Sequence, residues 1–240
     1  MTINLPTDQI VTVRSVSVEL DPRPHPFIAG NEAAISQNWE QAIAANPALF
    51  DGRMALLSGL WRDSGDLFGR CHIVPYSAFM YWRTLRPVDG IVHAYAHAVM
   101  VSSDNALVLI KMGAKSVNAG LVYCAAGSFE PEDFRDGKAD IVANMRREVL
   151  EETGIDIAGW THEQSYQILS KVTGTVLFRR YFSELTADEL AERIRAHVAS
   201  ESDPEIDGPV IVRSAQGKPD RLAAQMPALI DWHFATPRGD

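Results

Sequence analysis

The segment Arg147-Glu148-Val149-Leu150-Glu151-Glu152-Thr153-Gly154-Ile155 constrains this chain more than any other stretch. A run of helix-forming residues closed by a glycine marks a helix end, with Gly154 as the stop. Offsets of three and four residues then place Glu148, Glu151 and Glu152 on one helical face. Glutamate-rich faces are often only solvated surface, but this one carries two penalties. Like charges one turn apart cost about 0.2–0.5 kcal/mol per pair. Acids in a last turn also oppose the negative end of the helix dipole. A positive group should offset both, and a divalent cation is the simplest candidate. Hard ions such as Mg²⁺ take oxygen ligands and keep several waters.

Charge and cysteine usage limit what such a site could serve. The chain has 240 residues, 46% of them hydrophobic, enough for one large domain or a small one plus a larger one. A net charge of −9 argues against binding a nucleic-acid backbone, which needs clustered Lys and Arg. It does not argue against a phosphorylated small molecule, because a bound metal inverts the local field. The two cysteines, Cys71 and Cys124, sit in apolar surroundings and read as buried reduced thiols, which fits a cytoplasmic protein. Met1 to Val13 shows no basic-then-apolar leader, and no run of 18 apolar residues occurs, so no membrane partner is expected.

Periodicity outlines the elements. Ile10 to Leu20 alternates like a half-buried strand, and the Asp21-to-Pro26 segment, with three prolines, forces an extended connection. A helix is expected over 31–45, with Ile35, Trp39, Ala42 and Ile43 inward. Strands over 53–57 and 67–74 and a helix over 76–85 follow. Arg86 to Gly90 is the candidate boundary, dividing an N-terminal α+β extension, 1–88, from a main domain, 89–240. Beyond it the pattern predicts a hairpin of 91–101 and 106–110, a strand at 121–125 and the acid-bearing helix 140–153. A strand at 175–185 comes next, then a helix at 186–200 with a Thr186/Glu189 capping box, a strand at 209–212 and a closing helix at 220–233. The order fits an α/β fold, an α/β/α sandwich around a mixed sheet. His93 and His97 are four apart, but on an alternating strand they share a face with Tyr95 and read as core or groove histidines.

The string Arg-Glu-apolar-x-Glu-Glu-x-Gly-apolar should arise by chance in a chain this long on the order of once in 10⁴–10⁵ tries. It resembles the second half of the Nudix box, and the chain is similar in element order to Nudix hydrolases over roughly 90–235. The first half of the box departs from that pattern. Its isolated Glu position falls on Ala139 and its Gly position on Asp133. Ala125-Ala126-Gly127-Ser128-Phe129-Glu130 resembles the family's glycine loop, and its distance to Arg147 implies a six-residue insertion within 130–140. Asp133, Glu130 and Asp140 are then rivals for the isolated acid.

The resemblance implies a Nudix-like sandwich and a Mg²⁺- or Mn²⁺-dependent pyrophosphohydrolase. It assigns Glu148 and Glu152 as primary metal ligands and Glu151 to a further ion, with a backbone carbonyl at Ala126 or Gly127 as an additional ligand. Arg147 would hold carboxylates in place. A late-loop acid would act as general base, Glu205 first and Glu201 second, and Lys111 and Lys115 would meet substrate phosphate. The implied partner is a small-molecule nucleoside-diphosphate derivative, of UDP-sugar or ADP-ribose type. The alternatives are a coenzyme A diphosphatase or a non-catalytic nucleotide-metabolite regulator. A homodimer contact is one expectation for residues 1–88, a substrate-side wall the other.

Overall fold

A computed structural model describes residues 5–238. In chain order its elements are β1 (Ile10–Val13), β2 (Val16–Leu20), α1 (Glu32–Ala45), β3 (Arg53–Asp63), β4 (Asp66–Pro75), α2 (Tyr76–Leu85), β5 (Ala94–Val101), β6 (Leu107–Met112), β7 (Val122–Tyr123), β8 (Phe134–Arg135), β9 (Lys138–Ala139), α3 (Ile141–Thr153), β10 (Thr161–His162), β11 (Tyr166–Lys171), β12 (Gly174–Phe182), α4 (Ala187–Ser200), β13 (Ile206–Val212) and α5 (Met226–Ala235). The fold is mixed α/β, with two mixed sheets and these five helices. One sheet runs β3-β4-β2-β9-β8; the other runs β1-β11-β12-β5-β6-β13, with β10 on β12 and β7 on β6. No helix among the described residues is long and apolar enough to cross a membrane.

The chain forms two compact units, and neither is a single stretch. The first combines Met1–Tyr95 with Ser128–Ile141 and Ile168–Val176. Its centre is Phe27, Ile35, Met54, Leu56, Val74, Ala78, Phe79 and Trp82. The expected first strand is two, because Arg14 and Ser15 leave the ladder to bind the β3–β4 turn. Arg14 reaches Asp66 at 2.7 Å, and the Ser15 hydroxyl donates to the same carboxylate at 2.9 Å. That turn has Ser64 and Gly65 at φ 49° and 89°, the primed geometry that suits the twist of a two-residue hairpin. The segment expected to hold an insertion folds into a 3₁₀ turn and the β8–β9 hairpin, turned by Asp136-Gly137 at positive φ. Helix α2 spans the expected residues; Pro75 at its N-cap has no side chain to offer, and Asp51 instead accepts the Ser77 N–H at 2.7 Å. Helix α1 buries Ile35 and half-buries Trp39 and Ala42, but Ile43 is exposed, contrary to expectation. Ile43 lies about 80° around the helix from Ile35, off the stripe that Trp39 and Ala42 continue.

The second unit comprises Ala96–Gly127, Val142–Gln167 and Leu177–Asp240. Leu107, Leu109, Leu177, Phe178, Leu190, Ile194, Leu229 and Ile230 are fully buried in it. The β5–β6 hairpin turns on Asn105 at φ 59°, and its Asp104 carboxylate accepts the Ala187 N–H at 2.8 Å, adding to the Thr186/Glu189 capping box that starts α4 as expected. Helix α5 begins six residues later than expected, at Met226, where Pro227 sits in its first turn. The residues before it form turns, with Arg221 at φ 59°, and bond β7 instead: Val122 N–H donates to Arg221 O at 2.9 Å and Ala223 N–H to Val122 O at 3.0 Å. Strands β10 and β11 were not among the expected elements. Glu163, just after β10, forms a buried ion pair with Arg180 of β12 at 2.6 Å, and Arg180 also donates to the carbonyls of Thr236 and Pro237, each at 2.8 Å.

Both cysteines are free and buried, as expected, and burial pushes the Cys71 thiol up to about 12 and the Cys124 thiol further still.

Removing one partner of a buried ion pair strands the other charge. Glu163→Ala should lower the free energy of unfolding in urea by about 3–5 kcal/mol, whereas Thr186→Ala should cost about 1 kcal/mol.

Candidate functional site

Helix α3 belongs to the second unit from Val142 onward and carries two adjacent buried stripes. Ile141, Met145 and Val149 form the apolar one; Asn144, Glu148 and Glu152, also at steps of four, form a polar one that is 0%, 8% and 5% exposed. Spacing explains both, since residues four apart stack on one face. A buried carboxylate stripe requires polar neighbours, and the Ala126-Gly127 turn supplies them. Ala126 N–H donates to Glu152 Oε2 at 2.9 Å. The Glu148 carboxylate lies so close to the Gly127 Cα that a Cβ there would overlap it. Glycine at 127 is therefore required by contact rather than by φ.

Arg147 is the cation of the cluster. Its Nη2 meets Glu148 Oε1 at 2.7 Å and its Nη1 meets Glu151 Oε2 at 3.0 Å. Glu151 shares the helix face only in part; its side chain is 58% exposed, against 10% for Glu148. Gly154 ends the helix at φ 69°, as expected, and leaves room for His197, whose ring would stand 2.7 Å from a Cβ there. His197 in turn donates from Nε2 to the Glu151 carbonyl at 3.1 Å.

The late acidic loop reaches the same cluster electrically. Burial first, then the charges of Glu148 and Glu205, and further that of Glu151, hold the Glu152 carboxyl well above its ordinary value, against the lowering effect of the Ala126 N–H. Glu205, exposed as a residue, is raised by partial desolvation of its carboxyl and then by Glu151 and Glu201. The structure thus brings Glu148, Glu151, Glu152 and Glu205 into one electrostatic group with Arg147. Lys111 pairs with Asp207 of β13 at 2.7 Å, and Lys115 with Asp203 of the loop at 2.6 Å. Gly113 ties the loop to the end of β6, its N–H donating to Glu205 O at 2.9 Å.

Glu130, Asp133 and Asp140 belong to the first unit. Asp133 is buried, and its carboxylate accepts the Glu130 N–H at 2.9 Å to close the 3₁₀ turn. The Asp133 carbonyl accepts the Asp140 N–H at 2.7 Å. Among the described residues no three His, Cys, Asp or Glu side chains stand gathered as a ready-made metal cage. Sequence reasoning placed His97 in a core or groove without assigning it a partner; it is fully buried, its Nε2 meets the Gln225 amide at 3.1 Å, and Ala125 lies beside its ring. A lone apolar-flanked histidine gives no sequence signal of such a partner.

No family model matches the chain, and no curated protein matches it. Solved structures do align with it. The DR0079 protein of Deinococcus radiodurans aligns over 76% of this chain and 99% of its own, at 12% identity and TM-score 0.44. A MutT protein from Methanosarcina mazei Go1 aligns over 59% and 91%, at 15% and 0.35. The ORF135 protein of E. coli aligns over 61% and 94%, at 17% and 0.35. Likeness this remote says nothing of chemistry, which has to be argued from this chain's own residues.

Two tests follow from the geometry. A raised carboxyl binds its proton more tightly in the folded than in the unfolded chain, so its contribution to stability is present at low pH and is lost as pH rises through the folded value. In chelator, Glu152→Gln should therefore be more stable than the parent protein at pH 8, with the gap closing below the ordinary Glu value of 4.5; thermal melts across pH read this. Gly127→Ala should fold but expel the Glu148 carboxylate from its seat, visible as loss of tight Mn²⁺ binding by paramagnetic resonance.

Proposed function

We propose that the protein is a divalent-metal-dependent hydrolase that cleaves the pyrophosphate bond of a nucleoside diphosphate linked to a second moiety, of UDP-sugar or ADP-ribose type, releasing a nucleoside monophosphate. One observation carries this reading: Glu148 and Glu152 are buried on one stripe of α3 against a glycine turn, with Glu205 and Glu151 adding to their field and one guanidinium to offset them. A purely structural stripe would be apolar, because buried charge without enough counter-charge is expensive. The resemblance of Arg147–Ile155 to the Nudix box supports the same reading.

The donor set fits Mg²⁺ or Mn²⁺: it is all oxygen, with two carboxylates one turn apart and a glycine turn that admits close approach. When bound, such an ion neutralises phosphate charge and makes a coordinated water more acidic. Glu148 and Glu152 would hold it, with Glu151 at a further ion and the Ala126 or Gly127 carbonyl completing the set. Arg147 keeps Glu148 and Glu151 oriented. Glu205, its carboxyl raised above its ordinary value by partial desolvation and by Glu151 and Glu201, would accept the proton of the attacking water. Water oxygen then bonds to phosphorus, and the bridging oxygen leaves with the second phosphate.

Purified protein with Mg²⁺ or Mn²⁺ and a panel of UDP-glucose, ADP-ribose and coenzyme A should yield a nucleoside monophosphate from one of the first two, identified by mass. Glu152→Gln should cut turnover by at least about 100-fold while the circular dichroism spectrum stays unchanged. Silence across the whole panel, or near-parental turnover in that variant, would refute the assignment.

A further inference from the structure

We propose that His197 of α4 is a positioning residue for the acid cluster: it caps the open end of α3 at Glu151 and so sets the late loop that carries Glu205 against the helix that carries Glu151 and Glu152. Its consequence for metal binding rests on the reading of that cluster as a metal site; the capping itself does not.

The last carbonyls of a helix find no donor within it. In α3 the Gly154 N–H closes the final turn on Leu150 O at 2.9 Å. The next carbonyl, that of Glu151, would take the Ile155 N–H, but this group donates to the Thr153 hydroxyl at 3.2 Å. Glu151 O instead accepts from His197 Nε2 at 3.1 Å. A carbonyl only accepts, so Nε2 carries the hydrogen and the direction of the bond is fixed. The two surfaces also fit closely. Gly154, at φ 69°, turns the chain out of the helix, and a Cβ there would stand 2.7 Å from both Cγ and Nδ1 of the ring. The imidazole lies against the glycine with its far nitrogen on the open carbonyl.

His197 itself sits in the last turn of α4. The Ser200 hydroxyl donates to its carbonyl at 2.7 Å. Glu201, the C-cap residue, places Oε1 3.6 Å from the same Nε2. The loop that leads to Glu205 begins there, and it ends where the Gly113 N–H donates to Glu205 O at 2.9 Å. The loop is therefore held at both ends, by β6 at Glu205 and, through His197, by α3. All of these residues belong to the second unit. An apolar side chain could fill the space beside Gly154. What the imidazole adds is a donor aimed at one carbonyl. Apolar contact is non-directional, whereas such a bond fixes where the end of α4 stands along α3.

The test is amide hydrogen exchange at Gly154, followed by NMR on the full chain in chelator, so that metal binding plays no part. His197→Phe keeps a ring without a donor, His197→Leu removes the ring, and His197→Gln puts an amide N–H near the place of Nε2. Gly154 should exchange at least about fivefold faster in His197→Phe and His197→Leu and regain most of its protection in His197→Gln, while Leu109 in β6 keeps its own throughout. His197→Leu decides the matter should His197→Phe not fold. Affinity for Mn²⁺, read by paramagnetic resonance, should fall about tenfold in the donor-free variants and return in His197→Gln. Unchanged Gly154 exchange in the donor-free variants overturns the proposal. So does faster exchange that His197→Gln fails to restore, which would mean the ring only fills space. Parental Mn²⁺ affinity in a donor-free variant overturns the positioning of the acids even where the end of α3 frays. Mn²⁺ titration of the unmutated protein separates the two ideas. Absent binding there sinks the metal-site reading and leaves the capping result standing, whereas tight binding with unmoved exchange sinks the role of His197 and spares the site.

Discussion

Two glutamates of α3 are buried beside a turn of the backbone, and the second unit is organised around that fact. Charge of one sign, taken out of water, must be compensated by hydrogen bonds, by counter-charge or by a proton. Glu152 receives one hydrogen bond, from Ala126 N–H, and an upward push on its proton affinity; Glu148 receives the guanidinium of Arg147 and the open face of Gly127. This arrangement differs from an ordinary buried ion pair. Glu163 and Arg180 provide the contrast within the same unit: both are buried, they are matched one to one, and the guanidinium's further donors are spent on the Thr236 and Pro237 carbonyls. That pair closes on itself. The α3 cluster instead sets Glu148 and Glu151 on one guanidinium and holds the Glu152 carboxyl well above its ordinary value, which is why it is proposed as a cation site.

Close approach of backbone does much of the positioning. Gly127 admits Glu148, Gly154 admits the His197 ring, and Gly113 admits the Glu205 carbonyl at a distance where a Cβ would stand 2.8 Å from that oxygen. Each brings a different segment against the acid cluster or its neighbours. The Lys111–Asp207 pair, between β6 and β13, and the Lys115–Asp203 pair are exposed, so each contributes at most about 1 kcal/mol. They reduce local negative charge more than they fix the loop's place, which the Gly113 hydrogen bond does.

Elements with strong local signals were legible in the sequence. Helix α4 carries its own capping box, α2 runs from a proline to an arginine before a second proline, and α3 ends at the glycine that marked it. Where local signals misled, a tertiary contact had taken over. The residues before α5 are helix-compatible, yet they form turns that bond Val122. Ile43 continues a helical run but faces away from the stripe that packs. Strand β10 is two residues long and exists by pairing Thr161 and His162 with β12, a partner no short-range pattern announces. Of the candidate site, the helical acids, Arg147 and Gly127 could be named from spacing and resemblance; the pairing of His97 with Gln225 could not, because the two stand 128 residues apart in the chain.

By itself the sequence determined that a helix ends at Gly154 with three glutamates in its last turns, since helix periodicity and the conformational freedom of glycine are properties of the local chain. Which of those glutamates would be hidden was decided only by tertiary structure. Glu148 and Glu152 lie under the turn at 126–127, and Glu151 remains in water. A helix presents its faces equally until something packs against one of them, and here that something is a turn brought in by strand β7, held by contacts far away along the chain.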